Sequence, residues 1–453
     1  MLAIYGNIQY FGLLLHGTNF KIVGNFDNPA GYASMLTLSL PFVLHFTSFN
    51  KRCIKYIAWI VFIIICTAVV LSASRVGILV VLVLIILFVL KQNKALLNVV
   101  IWKKIVFVFL LSIIISFLYY AKKDSADGRI LIWRCTVDMI KEKPLFGHGY
   151  KSFEAKYMLY QAHYFEQYPE SNFALLADNV KHPFNEFLLL ISEFGLIAFL
   201  LLVLFFIRLA QIYFKNQNEK SFMLLLVWVA ILILSCFSYP FQYPFTWLIV
   251  GFSVGSLSAL SNQNNKQFQI YWIPKIFVSF LSITLLWFTV REMYYVNKWY
   301  NIANQTTFGK THTIIREYEC LYPYMDKNAC FIYNYAARLN YVNDIEKSTE
   351  ILTACEKIFN DYDVQMLKAD NYKKQHDFYK AKDCYTLASR MCPNRFIPLY
   401  ELANIYDSIN QPDRALKLAI EIVNKPVKIP SATISSIKMK MKKRAEGILT
   451  NTD

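Results

Sequence analysis

Between about residues 31 and 290, this 453-residue chain repeats apolar runs long enough to cross a bilayer, and that leaves it few folds to choose from. Roughly 20 apolar residues in a helix span the hydrocarbon core. Inside that core every backbone polar group must be satisfied within the protein, so only helices or closed barrels cross. Eight runs, at about 31–49, 54–72, 76–90, 105–121, 186–208, 221–238, 245–260 and 272–290, are apolar around their whole circumference. That pattern predicts helices buried in lipid and not amphipathic surface helices. The third is short for a span, which fits a start inside a water-filled vestibule. From about 291 onward the chain is polar, with charges at helical spacing. The predicted fold class is all-α: a polytopic helical membrane domain over 31–290, with a long extracytoplasmic loop at 122–185, followed by a soluble α-solenoid over 291–453.

Charge gives the orientation. Lys51, Arg52 and Lys55 follow the first run; Lys91, Lys94, Lys103 and Lys104 follow the third. Arg208, Lys215 and Lys220 follow the fifth, and Lys266 the seventh. Short loops rich in Lys and Arg stay in the cytoplasm, so these four share that side. The opposite side then holds Ser72–Arg75, the loop 122–185, the turn Ser238–Pro244 and the C-terminal domain. The formal net charge of +16 is largely this orientation signal, and nucleic acid is not an expected partner. The nine cysteines show neither a CxxC nor a zinc-type spacing, so no structural metal is expected.

Residues 1–30 are expected to be an extracytoplasmic N-terminal segment. Tyr5–Leu15 is apolar but too short to span, and Phe26–Tyr32 reads as a loop entering a helix. That start predicts spans missing ahead of it. The C-terminal part carries a repeat: Ala369, Tyr372 and Ala381 recur as Ala403, Tyr406 and Ala415, each 34 residues on. Small–aromatic–small at these offsets is the packing code of a tetratricopeptide helix pair, with Pro393 closing the second helix. A degenerate copy covers about 328–362.

Loops longer than about 12–15 residues are usually functional or disordered, and the loop at 122–185 has too many aromatics for a disordered spacer. Three places in or near it carry candidate chemistry. Arg75 follows Ser74 at the outer start of a span, where an arginine is costly unless it meets an anion or water. The alternative is an arginine snorkelling at a helix end. Arg129 and Arg134 flank Trp133, with Asp127 just before, and guanidinium groups suit bidentate capture of phosphate oxygens. The alternative is a solvated helix with Arg–Asp pairing. His182 stands ahead of a span with Asn185 and Glu186 close behind, and an interfacial histidine suits general base work near neutral pH. Its alternative is a capping or headgroup-binding histidine. His148 and His163 rank lower, and Gly147-x-Gly149 predicts a turn. No cluster of carboxylates suggests a catalytic metal.

Taken in order, Gly24-Asn25-Phe26-Asp27-Asn28-Pro29, Ser74-Arg75-x-Gly77, Gly128-Arg129…Trp133, Pro144-Leu145-x-Gly147-x-Gly149 and His182-x-x-Asn185-Glu186…Glu193-x-Gly195 resemble the O-antigen ligase and O-antigen polymerase superfamily. These are membrane glycosyltransferases with a GT-C-like all-helical fold, and the resemblance covers about residues 20–200. It implies a multi-pass protein of the bacterial inner membrane, with loop 122–185 and the C-terminal domain periplasmic. The implied donor is a glycan on undecaprenyl diphosphate, transferred without nucleotide sugar, cofactor or metal to lipid A-core or to another glycan or protein. Arg75 and Arg129 would hold the diphosphate, and His182 would activate the acceptor hydroxyl. Asn28, Trp133, Arg134, Asn185 and Glu186 would line the substrate site. In many relatives the histidine directly precedes the asparagine; here Phe184 does, and a helical reading places His182 and Asn185 on one face. The loop would act as a lid over the lipid-diphosphate site. A polymerase, a protein O-oligosaccharyltransferase, and a non-enzymatic anchor presenting the repeats to a protein partner are the competing functions.

Overall fold

The computed structural model describes residues 1–13, 20–93, 119–120, 123–261, 272–305 and 311–449. Among these residues the regular structure is helical, with no strand. The span expected at 105–121 lies almost wholly outside the described residues. The chain divides into two units. The first joins Met1–Ala126 to His182–Gln267, and the second joins Asp127–Lys181 to Phe268–Asp453.

The first unit begins with α1 (Leu2–Tyr10), α2 (Pro29–Thr47), α3 (Arg52–Leu71) and α4 (Arg75–Gln92). Next in the chain come α5 (Lys123–Glu142), whose first turn closes this stretch, and α6 (Ser152–Gln167) of the second unit. The first unit then resumes with α7 (Glu186–Lys215), α8 (Glu219–Phe237) and α9 (Pro244–Ser261). Local chemistry sets the helix starts. Asn28 Oδ1 accepts from the Gly31 amide at 2.9 Å, with Pro29 at the first helical position. Ser74 Oγ accepts from Gly77, and Asn185 Oδ1 accepts from both Phe187 and Leu188 at 3.0 Å. Each such cap satisfies amides that have no partner within the helix.

α2 is the centre of this unit, packed against α3, α4 and α8. Its Tyr32, Leu38, Leu40 and Leu44 are buried with Val69, Leu84, Val227 and Ile231. A Cβ on Gly77 would lie 2.9 Å from the Ala33 Cβ, so glycine is what allows α4 to approach α2 there. Among the described residues, five helices are long and apolar enough to cross a membrane: Arg52–Leu71, Arg75–Gln92, Glu186–Lys215, Glu219–Phe237 and Pro274–Gln305. Pro244–Leu260 is a shorter apolar helix. α7 breaks its helical geometry at Gly195, where φ is 77° and a side chain would be strained.

The second unit contains α5 from Asp127, α6, α10 (Trp272–Gln305), α11 (Thr311–Met325), α12 (Ala329–Tyr341), α13 (Ile345–Cys355), α14 (Tyr362–Lys374), α15 (Phe378–Met391), α16 (Ile397–Ser408), α17 (Pro412–Asn424) and α18 (Ala432–Leu449). Helices α12 with α13, α14 with α15, and α16 with α17 pack as consecutive pairs. Each pair turns on one left-handed residue, Asn343, His376 and Asn410 respectively. Asp344 and Asp377 then cap the following helices. Ala369, Ala381, Ala403 and Ala415 are fully buried, as close helix approach requires. α10 runs unbroken through 290–291 as a helix of 34 residues.

Residues 127–181 differ most from expectation. They pack into the unit of the C-terminal helices, with α6 lying along α15. Buried Gln161 donates to the Met391 carbonyl at 2.6 Å and to the Asp178 carbonyl at 3.1 Å, and accepts from the Tyr157 hydroxyl at 2.8 Å. Arg390 pairs with Glu166 at 2.9 Å and Arg395 with Asp178 at 2.8 Å. Asn179 donates to Asp361 at 2.7 Å.

Candidate active site

In the first unit the starts of α2 and α7 reach the turn between α8 and α9. Asn28 ties α2 to that turn: its Nδ2 is 2.7 Å from the Tyr239 hydroxyl and 3.2 Å from the Tyr243 hydroxyl. Tyr243 donates to Asp27 Oδ1 at 3.1 Å, and the Asn28 amide reaches Asp27 Oδ2 at 3.0 Å. Burial and the neighbouring Asp27 and Tyr239 raise the Tyr243 phenol well above its ordinary range, so it stays a neutral donor. Gly31 makes room for that ring. A Cβ there would sit 2.4 Å from the Tyr243 hydroxyl and Cζ. The ring tip can swing aside, so Gly31→Ala is expected to cost only about 1–3 kcal/mol of stability. The swing would break the contacts to Asn28 and Asp27, and a melting temperature lowered to match checks this.

α7 enters the same cluster. Glu186 Oε1 accepts from the Phe241 amide at 3.1 Å, which fixes the turn against the helix start. His182 and Asn185 do not share a helix face as the sequence reading supposed. Asn185 is the residue before the helix, and His182 lies in the irregular segment ahead of it. The reason is Phe184, held at a left-handed φ of 54°, which reverses the backbone just before the cap. The reversal brings two rings onto one tyrosine: His182 lies 5.2 Å and Phe184 5.4 Å from the Tyr239 ring. Positions 182 and 184 therefore both pack a ring against Tyr239.

Arg75 opens α4, half-buried, and its Nη2 donates to Ser125 Oγ at 3.1 Å. Ser125 stands one helical turn before Arg129 in α5. α2, α4 and α7 each begin at a capped N-terminus whose dipole favours negative charge, with Arg75 opening α4 and His182 lying just ahead of α7. Arg129, Trp133 and Arg134 belong to the second unit. There Arg134 stacks on Tyr164 and Tyr168, with its guanidinium carbon 5.1 and 5.5 Å from the two ring centres. Among the described residues, no three His, Cys, Asp or Glu side chains gather as a metal-ligand set.

Residues 60–203 match the O-antigen ligase family model. The matched stretch contains every candidate named from sequence except Asn28. Among curated proteins, none matches the chain. The O-antigen ligase match supports a glycosyl-transferring function of ligase or polymerase type. With the five long apolar helices, it also supports a multi-pass membrane protein. Tyr239 and Tyr243 lie beyond the matched residues, and sequence reading passed over them. The available signal was two tyrosines four apart, each followed by proline, in an outer turn.

Proposed function

We propose that this protein transfers a glycan from undecaprenyl diphosphate to lipid A-core, or to another glycan or protein acceptor, on the periplasmic face of the bacterial inner membrane. The observation that carries the reading is the polar–aromatic cluster of Asn28, His182, Glu186, Tyr239 and Tyr243 beside capped helix starts, with His182 and Glu186 inside the O-antigen ligase match. In the proposed step the acceptor hydroxyl oxygen attacks the anomeric carbon while His182 takes its proton. The bond to the diphosphate oxygen breaks, and undecaprenyl diphosphate leaves with the electron pair. One displacement inverts the anomeric centre. Arg75 neutralises charge growing on the leaving diphosphate, and the Ser125 contact holds its guanidinium in place. The motif assigns Arg129 the second cationic role. Trp133, Arg134 and Asn185 complete the proposed substrate contacts.

The paired C-terminal helices, read as tetratricopeptide-like, give a surface suited to a macromolecular acceptor or protein partner. That leans toward a ligase over a polymerase.

A hydrogen bond to a charged group contributes about 1.5–3 kcal/mol, so Arg75→Ala should slow transfer by about 10- to 150-fold. The measurement is the surface-glycan ladder in cells whose only copy is the variant, with transfer from lipid-linked glycan as the direct assay. Ladders unchanged by both Arg75→Ala and Arg129→Ala would sink the enzyme reading in favour of a non-enzymatic anchor. Loss of long chains alone would indicate a polymerase, and loss of attachment with chain length intact a ligase.

A further inference from the structure

A groove of about 790 Å³ lies between α5 and α6 in the second unit. It is in the size range of small-molecule sites, about 300–1,000 Å³. Each helix gives it one stripe. On α5, Ile130, Trp133, Arg134, Val137, Asp138 and Lys141 recur at helical spacing. Leu131, Ile132, Cys135 and Met139, on the far side of the same helix, are buried. The groove-facing stripe is thus surplus to what packing this helix requires. From α6 come Tyr160, Tyr164 and, just past its end, Tyr168.

The groove is built from rings and from polar groups with flat hydrogen-bonding edges. Tyr164 and Tyr168 sit 5.2 Å apart, and Arg134 lies over both. Stacking occupies the face of a guanidinium, while its N–H donors lie in its edge. Asp138 is ion-paired to Lys141 at 2.8 Å, and Gln167 bonds His163 at 2.9 Å. Tyr160 donates to Glu142, joining the end of α5 to α6. Tyr168 and Ile130 remain about half exposed, at 48% and 45%.

We infer that this groove binds sugar rings of an uncharged or weakly charged oligosaccharide. The C–H faces of a pyranose carry slight positive potential and pack on the electron-rich faces of aromatic rings. Its hydroxyls pair with the planar edges of Arg, Asp and Gln side chains. A polyanion is disfavoured, because Asp138 stands in the groove beside the cations. A purely apolar ligand would leave these polar edges unpaired. The inference rests on the glycan-transfer reading for its biological meaning, but the groove binds free glycan whether or not transfer occurs.

The test uses the full-length protein in lipid nanodiscs. The probe is the set of water-soluble oligosaccharides released by mild acid from the producing bacterium's surface polysaccharide, titrated by calorimetry and saturation-transfer NMR. Saturable binding is expected, weakened about three- to tenfold by Tyr168→Ala and little changed by Tyr168→Phe, which keeps the ring. Trp133→Ala should act like Tyr168→Ala, with melting temperatures showing the unit still folded. Tyr379→Ala, which removes an exposed ring of the same unit outside the groove, should bind the probe as the unaltered protein does. Wild-type binding by both ring-deletion variants would overturn the inference. So would no saturable binding to the unaltered protein, or displacement of the probe by glycan-free phospholipid vesicles, which would mark a lipid contact. If instead the groove variants lose binding while surface-glycan ladders are unchanged by both Arg75→Ala and Arg129→Ala, the transfer reading falls and the groove stands.

Discussion

His182→Ala is expected to slow glycan transfer by about 10²–10⁴-fold, the usual worth of a positioned general base. Lipid-linked donor, purified acceptor and the protein in proteoliposomes give the rate directly. Geometry sharpens the expectation. The His182 and Phe184 rings both rest on Tyr239, at 5.2 and 5.4 Å, so a histidine at 184 should reach the same place. The double variant His182→Ala with Phe184→His should therefore recover at least about tenfold over the single variant. Tyr239→Phe keeps the platform but removes the hydroxyl bonded to Asn28, and should cost less than His182→Ala. An unchanged rate in His182→Ala would remove this residue as the proton acceptor. Loss without rescue from position 184 would mean that the imidazole works through a contact peculiar to 182.

The second large effect concerns stability. Gln161→Leu should destabilise the second unit by about 3–6 kcal/mol. Gln161 is fully buried, and its side chain satisfies the Met391 and Asp178 carbonyls and the Tyr157 hydroxyl. Leucine nearly fills the space but abandons all three, and each buried polar group left unmade costs about 1–3 kcal/mol. Against a typical total of about 5–15 kcal/mol, such a loss threatens folding. Limited proteolysis should then cut within 127–181, where the unaltered protein resists. Glu166→Ala is the contrast: its pair with Arg390 is about half exposed on both sides, and losing it should change stability by less than about 1 kcal/mol. Equal protease resistance in Gln161→Leu would show that α6 is not held by α15.

The membrane helices were legible because lipid burial leaves a continuous apolar run, a signal local to each segment. The helix starts at Asn28, Ser74 and Asn185 were equally local, since a cap acts within three residues. What escaped was non-local. Gln161 reads as an ordinary polar residue of an amphipathic helix, and its acceptor lies 230 residues away. The packing of the long loop on the face of α15 was equally hidden, because that partner carries no mark in the loop itself. The helical reading of 182–185 failed on one residue, since nothing about a phenylalanine announces a positive φ at Phe184. Tyr239 and Tyr243 were passed over because the turn that carries them is short.

The second unit is made from two stretches of chain separated by much of the first. A ribosome adds about 5–20 residues per second, so roughly 10–50 s pass between the synthesis of Gln161 and that of the Met391 carbonyl it will bond. During that interval Phe153, Tyr157 and Gln161, all buried in the finished protein, have none of their C-terminal partners. The long loop is thus an unfinished half-domain throughout the insertion of the helices that follow it.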